Sequence, residues 1–255
     1  MVATSVRSHL TITWEPLPAD FILPDDPVES NLQPLLAAAL RESLELAGRL
    51  HPPMLVASNF GLCAKVNQKT VVKAPDWVYI PAVRPHPDSE IRRSYTPQAE
   101  GDTVAVVMEF ISETDGHEYS INPHYPYGKW YFYEQILQVP LYVIFHPLFE
   151  VIEVYALIQG QYQQQSPDEL GRYWIAPLNL FLGTWTGSKA EVTGCWLRWW
   201  DQSGLLLPWG VEQVAQERQR AEQERQRAEQ ERQRAERLAE QLRQLGVNLE
   251  NGQQA

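Results

Sequence analysis

Three polar residues interrupt otherwise apolar stretches. Asp76 sits in VVKAPDWVYIP (71–81), Glu109 near the end of TVAVVMEFIS (103–112), and Lys129 opens YGKWYFYEQILQV (127–139). A carboxylate inside an apolar segment is costly to bury unless it finds a partner. Two acids from neighbouring strands can converge at a sheet edge, and hard carboxylate oxygens suit Mg²⁺, which keeps waters and a substrate phosphate. Such an ion polarises a phosphodiester and lowers the pKa of a bound water. A lysine nearby can orient that water or stabilise the charge developing on phosphorus. These are the parts of phosphodiester hydrolysis. Each residue also has a plainer reading: Asp76 as a turn cap, Glu109 in a buried salt bridge, Lys129 as a solvated helix residue.

The surrounding pattern predicts the elements that would position them. Residues 1–31 are rich in Pro and Asp and read as an extended arm. QPLLAAALRESLELAGRL (33–50) carries leucines at helical spacing, stopped by Gly48 and Pro52-Pro53. MLVASNFGLCAKVN and TVVKAPDWVYIP, separated by Asn67-Gln68-Lys69, read as a hairpin or a pair of adjacent strands, followed by a long polar loop over 83–102. Residues 103–112 form a nearly continuous apolar run, the mark of a strand buried on both faces. A helix over 127–139 follows, then strands in PLYVIFHP and EVIEVYALIQGQYQQQ, then a set of short strands and turns up to about Gly210. The domain so defined spans 32–210.

The rest is different in kind. Residues 216–236 are three copies of QERQRAE, a strict period of seven that predicts one continuous helix over 211–250, ahead of a disordered end at 251–255. With Ala221, Ala228, Ala235, Leu242 and Leu249 at heptad position a, position d holds Glu217, Glu224 and Glu231 before Leu238 and Leu245. The seam is apolar only at its end, so the repeats read as solvated and supported by pairs such as Glu217–Arg220. Leu238, Leu242, Leu245 and Leu249 are the place for a homodimer contact.

Composition bounds the function. The chain is 44% hydrophobic, enough for a real core. No run approaches the roughly 18 apolar residues of a membrane span. The opening MVATSVRSHLTITWEP has no apolar signal core, and Cys63 and Cys195 match no metal or disulfide spacing, so a cytoplasmic, reduced protein is expected. The net charge is −11, and from Glu212 onward there are nine acidic and eight basic side chains, which leaves about −10 on residues 1–211. That charge opposes non-specific nucleic-acid binding, which rests on Lys and Arg neutralising phosphates.

Taken together, VVKAPDWVYIP, VVMEFIS and GKWYFYEQILQVPLYVIF resemble the Uma-two family of restriction-type endonuclease domains, abundant in cyanobacteria and part of the PD-(D/E)XK nuclease superfamily. The similarity runs through about residues 20–200. It implies an α/β restriction-endonuclease-like core, a four-stranded mixed sheet flanked by helices. It also implies Asp76 and Glu109 as metal ligands for Mg²⁺ or Mn²⁺, Lys129 as the catalytic lysine, and DNA as substrate. The superfamily usually carries its lysine two residues after the strand acid, where this chain has Ile111. A lysine on the following helix is the pattern associated with this family, and Lys129 fits it. Glu29 or Glu42 would be the extra acid that some superfamily members place on the first helix, although a structural role suits both better.

Other candidates carry less. His117 and His124 lack a spaced third ligand for zinc. Ser112 reads as a strand-end cap. Trp196, Trp199, Trp200 and Trp209 read as packing residues before stacking platforms. Arg92 and Arg93 are a basic pair that would face either phosphate or solvent. Two functions follow: a metal-dependent endonuclease, or a catalytically inactive nuclease-fold scaffold that uses its C-terminal helix for partner contacts.

Overall fold

A computed structural model describes residues 12–13, 31–86, 91–111 and 117–244. The chain divides into two compact units, Met1–Leu207 and Pro208–Ala255. In the first, strand β1 (Ile12–Thr13) precedes helix α1 (Leu32–Leu46). Leu36, Leu40 and Leu44 of α1 are fully buried, which accounts for its leucine spacing. The helix ends earlier than the sequence pattern suggests. Arg49 N–H returns to Leu44 O and Gly48 N–H to Glu45 O, a Schellman closure that needs the left-handed φ of +63° at Gly48.

Next come β2 (Leu55–Ala57), β3 (Gly61–Val66), β4 (Lys69–Lys73) and β5 (Trp77–Ile80). The expected hairpin exists as β3–β4, turned by Asn67 and Gln68, both at positive φ. The two predicted strands are each split, however. Their outer ends leave the hairpin and pair with each other, β2 with β5, in a different sheet. Ala74 and Pro75 mark that transfer, and Asp76 is the first residue after it rather than a strand residue. Proline has no N–H to give a ladder, so it suits the point where pairing stops.

The long polar loop contributes β6 (Ser94–Tyr95), parallel to β3. Then follow β7 (Val106–Phe110), helix α2 (Lys129–Tyr131, continued without a break by Phe132–Leu137), β8 (Leu141–His146), β9 (Val151–Ile158) and β10 (Gln161–Gln164). The expected helix is shorter than its pattern, and its continuation, Phe132–Leu137, is wound as a π-helix. EVIEVYALIQGQYQQQ makes two strands, reversed at Gln159-Gly160 with both φ positive. The central sheet has order β10-β9-β8-β7-β5-β2, six strands where the resemblance implied four. It is mixed, because only β7 and β8 run parallel. A parallel pair needs a crossover, and α2 with its preceding loop supplies it.

The C-terminal part of this unit holds β11 (Tyr173–Ile175), β12 (Leu180–Lys189) and β13 (Val192–Trp200), an antiparallel sheet. The last two form a long hairpin, not the short strands the turns suggested. Trp199 packs its ring 6.0 Å from Trp77 and donates Nε1–H to Leu40 O, tying this sheet and α1 to one side of the central sheet. The other side carries Val78, Ile80, Val107, Tyr142 and Ile144 in one core with Leu62, Val66 and Val71 of the β3–β4 hairpin and Phe132, Tyr133 and Ile136 of α2. In the second unit, Gly210–Gln244 is a single helix, α3. Among the described residues no helix is long and apolar enough to cross a membrane.

Candidate active site

The register of the central sheet decides which side chains meet. Trp77 faces Met108 and Val78 faces Val107 across the antiparallel β5–β7 pair, so one step further Asp76 stands opposite Glu109. Directly opposed residues share a face of the sheet. Side chains alternate along a strand, so Glu109 lies on the face of Val107, the face that α2 covers. Asp76 closes the end of the ladder: its Oδ2 accepts the N–H of Phe110.

Glu109 is a carboxylate in the core, with 1% of its surface exposed. Its Oε1 accepts the Tyr133 hydroxyl proton at 2.8 Å, and its Oε2 lies 3.2 Å from Lys129 Nζ. Lys129 and Tyr133 are four residues apart on α2 and point to the same side, so one helix supplies both partners. Burial pushes the Glu109 carboxyl up to about 8; Lys129 pulls it down, Asp76 pushes it up, and the Tyr133 bond and Glu118 act in those two senses in turn. Burial by itself would lower the Lys129 ammonium, but Glu109, Glu118 and Asp76 together outweigh it and hold the proton on.

Glu118 is the residue that sequence reasoning missed. It lies in a 3₁₀ turn, His117–Tyr119, inside a polar loop with no periodicity to mark it. Yet it is 4% exposed, and its Oε1 is 3.2 Å from Lys129 Nζ, the same distance as Glu109. Its Oε2 is buried with no hydrogen-bond partner among the described residues. The turn is held from several sides. Tyr142 Oη donates to Glu118 O, and Tyr119 Oη donates to Glu153 Oε2 at 2.9 Å and lies 2.8 Å from His146 Nε2. Beyond it, Gly128 N–H bonds Asn122 O and Tyr131 N–H bonds Ser120 O, which docks the loop on the start of α2. A Cβ on Gly128 would fall 2.0 Å from Ser120 O, so only glycine permits this approach.

The structure therefore brings Asp76, Glu109 and Lys129 to one place and adds Glu118. Other candidates lie elsewhere. Glu42 pairs with Lys189, a structural bridge. From α1 it is Gln33 that reaches the strand, its Nε2 donating to Phe110 O at the end of β7. Arg92 is engaged by Glu100 at 3.0 Å and by Arg84 O, so it braces its own loop. Trp196, Trp199 and Trp200 are buried, as their packing role requires. Glu29, Ser112, Leu245 and Leu249 lie outside the described residues.

Three carboxylates against one ammonium leave the cluster short of positive charge, and oxygen donors of this kind suit a hard divalent cation. Among the described residues no three His, Cys, Asp or Glu are placed to hold one ion together. A cation here would rest on one or two carboxylates and complete its shell with water and substrate oxygens, the habit of Mg²⁺. The donor set fits on those terms.

Comparison with curated proteins gave no match. A family model described as "Uma2: Putative restriction endonuclease" matches residues 21–187. That stretch runs from before α1 into β12 and contains Asp76, Glu109, Glu118 and Lys129. It covers well over half of the chain, and the mixed central sheet with its helices is consistent with a restriction-endonuclease-like fold: the chain belongs to the Uma2 family.

Proposed function

We propose that this chain is a metal-dependent endonuclease that hydrolyses DNA phosphodiester bonds, with Mg²⁺ (or Mn²⁺) held by Asp76 and Glu109 and with Lys129 assisting. The observation that carries this is the placement of Asp76 opposite Glu109 on one sheet face, with Lys129 Nζ 3.2 Å from Glu109. A bound divalent ion would supply Lewis-acid polarisation of a phosphoryl oxygen and an acidified water. The chain's own residues do the rest. The Tyr133 hydroxyl fixes the Glu109 carboxylate, and the Phe110 N–H fixes that of Asp76. Lys129, held protonated by its acidic neighbours, orients the attacking water and offsets negative charge developing on the phosphoryl oxygens. On this reading 32–210 is the nuclease domain of a cytoplasmic protein, preceded by an arm at 1–31. The charged helix expected over 211–250 is appended to it, with its leucine end as the homodimer seam; residues 245–255, including the expected end at 251–255, lie outside the described residues.

A second reading has its own support. Lys129 already occupies Glu109 in a buried bridge, and the body is strongly acidic. Both suit a nuclease fold kept as a scaffold, with α3 for partner contacts, and a fold does not establish an activity. Plasmid nicking separates the two. The purified chain with Mg²⁺ or Mn²⁺ is expected to nick supercoiled DNA, and Asp76→Ala to abolish it. Equal nicking by the variant marks a contaminant. Absence of divalent-ion binding dependent on Asp76 and Glu109, measured by calorimetry, leaves the scaffold.

A further inference from the structure

Lys129 sits between two glutamates at equal distance, 3.2 Å from Glu109 Oε2 and 3.2 Å from Glu118 Oε1. A divalent cation on Glu109 would place two positive groups on one carboxylate. The like charges repel, and Lys129 must leave Glu109 or lower the ion's affinity. A buried ammonium released with no anion to receive it is costly. Glu118 meets the need. It is already in contact with Lys129, it is buried, and its second oxygen has no partner among the described residues. A carboxylate oxygen buried without a partner is rare in native proteins and calls for an explanation. It leaves Glu118 with acceptor capacity beyond its one contact with Lys129.

We propose that Glu118 is a positioning residue that takes over Lys129 when a cation occupies Glu109. The inference rests on the metal reading given above and adds to it a role for a residue of the 117–119 turn. Glu118 does not bind the ion; it sets where the lysine stands while the ion is bound. The 3₁₀ turn and the Gly128 approach, which fix Glu118 against the start of α2, are then part of the site rather than loop architecture.

Two measurements test it. The first needs no cation: amine-directed acylation of Lys129, followed by mass spectrometry. Glu109→Gln imitates the loss of charge that ion binding causes. Lys129 is expected to stay as protected in Glu109→Gln as in wild type. In Glu109→Gln/Glu118→Gln it is expected to react about tenfold faster, the scale of coupling between groups in one network. Equal labelling of both variants overturns the hand-over. Wild-type protein labelled with and without saturating Mn²⁺ gives the same answer without any substitution. Continued protection supports the proposal, and a rise of about tenfold overturns it. The second measurement is Mn²⁺ calorimetry. Glu118→Gln should bind about tenfold more weakly, and Lys129→Met in that background should restore affinity by removing the competitor. An equal loss from Glu118→Gln with and without Lys129 would make Glu118 a ligand and overturn the proposal. No binding by wild type overturns the metal reading itself, and the hand-over with it. Binding that is intact while the labelling arm fails overturns the hand-over alone.

Discussion

Glu109 and Glu222 are the same residue in opposite circumstances. Glu109 is surrounded by core side chains, and burial pushes its carboxyl up to about 8. Glu222 lies on the exposed surface of α3, where hydrogen bonds from Gln226 and Arg225 hold its carboxyl below the ordinary range. The two regions differ likewise. Around Glu109, three acids share one lysine and each feels the others through low-dielectric protein. Along α3 the acids and arginines alternate in pairs three or four apart, such as Glu217–Arg220 at 2.9 Å with both side chains 70% exposed. The charges of α3 are many and individually weak. Those of the site are few, coupled and able to change state. Burial, not charge count, separates a reactive cluster from a solvated face.

The largest effect expected from this contrast is on folding. Above about pH 8, where Glu109 is ionised, Lys129→Ala removes the ammonium from two buried carboxylates. With the Lys129 side chain only 19% exposed, breaking the bridge should cost about 3 kcal/mol, the lower end of the range for an uncompensated buried charge. Urea unfolding with chelator present measures it. A loss below about 1 kcal/mol would place the pair with ordinary surface bridges and end the distinction.

A second effect is a slope with pH. The folded-state value of Glu109 lies above its ordinary 4.5, so native protein holds a proton that the unfolded chain has released. The stability tied to that proton is fully present below about 4.5 and is lost as pH rises through about 8. Glu109→Gln cannot titrate. Its stability relative to wild type should therefore climb across that window and level off above it. A pH-independent difference would show that Glu109 ionises in the fold as it does in water.

How much of the fold and the site is legible in the sequence depends on what each residue's neighbours reveal. Asp76, Glu109 and Lys129 are visible because each breaks an apolar run. Strand β7 is visible because a nearly continuous apolar run suits a strand covered on both faces. The six-stranded sheet is not. Pro75 looks the same in a strand edge as at the transfer from β4 to β5, and only pairing energy over a distance decides that β2 leaves its neighbour for β5. The π-helical turns of α2 are hidden too, since their hydrogen bonds answer to packing rather than to local propensity. Glu118 leaves no trace, because a polar residue in a polar loop is inconspicuous until Gly128 and Tyr142 fold it into the core. A glycine just before a helix is the one available hint.

That hint gives a third prediction, smaller than the loss of Lys129. Gly128→Ala forces a methyl group against Ser120 O, the acceptor of the Tyr131 N–H. The loop must move away from α2, at about 1–3 kcal/mol for an overpacked contact. The shift should separate Glu118 from Lys129 while leaving Glu109 and Tyr133 in place. Acylation of Lys129 in a Glu109→Gln background should then rise with the far-UV spectrum unchanged. A stable Gly128→Ala protein with unaltered Lys129 reactivity in that background would mean that the loop does not need this approach.

The smallest effect belongs to α3 and sharpens the contrast from the other side. Arg220→Ala removes one exposed pair with Glu217, and pairs of this kind contribute less than about 0.5 kcal/mol. The helix should persist because four further arginine–glutamate contacts, at Arg225, Arg232 and Arg243, repeat the same arrangement. Salt discriminates more finely than substitution. Mobile ions screen exposed charges over roughly 8 Å at physiological strength and barely reach buried ones. Raising the salt concentration should therefore weaken the helical signal of an isolated 210–244 peptide, while the stability lost in Lys129→Ala stays the same. If the Lys129 effect fell with salt as steeply as the α3 signal, water would have access to the cluster, and Glu109 would differ from Glu222 in degree only.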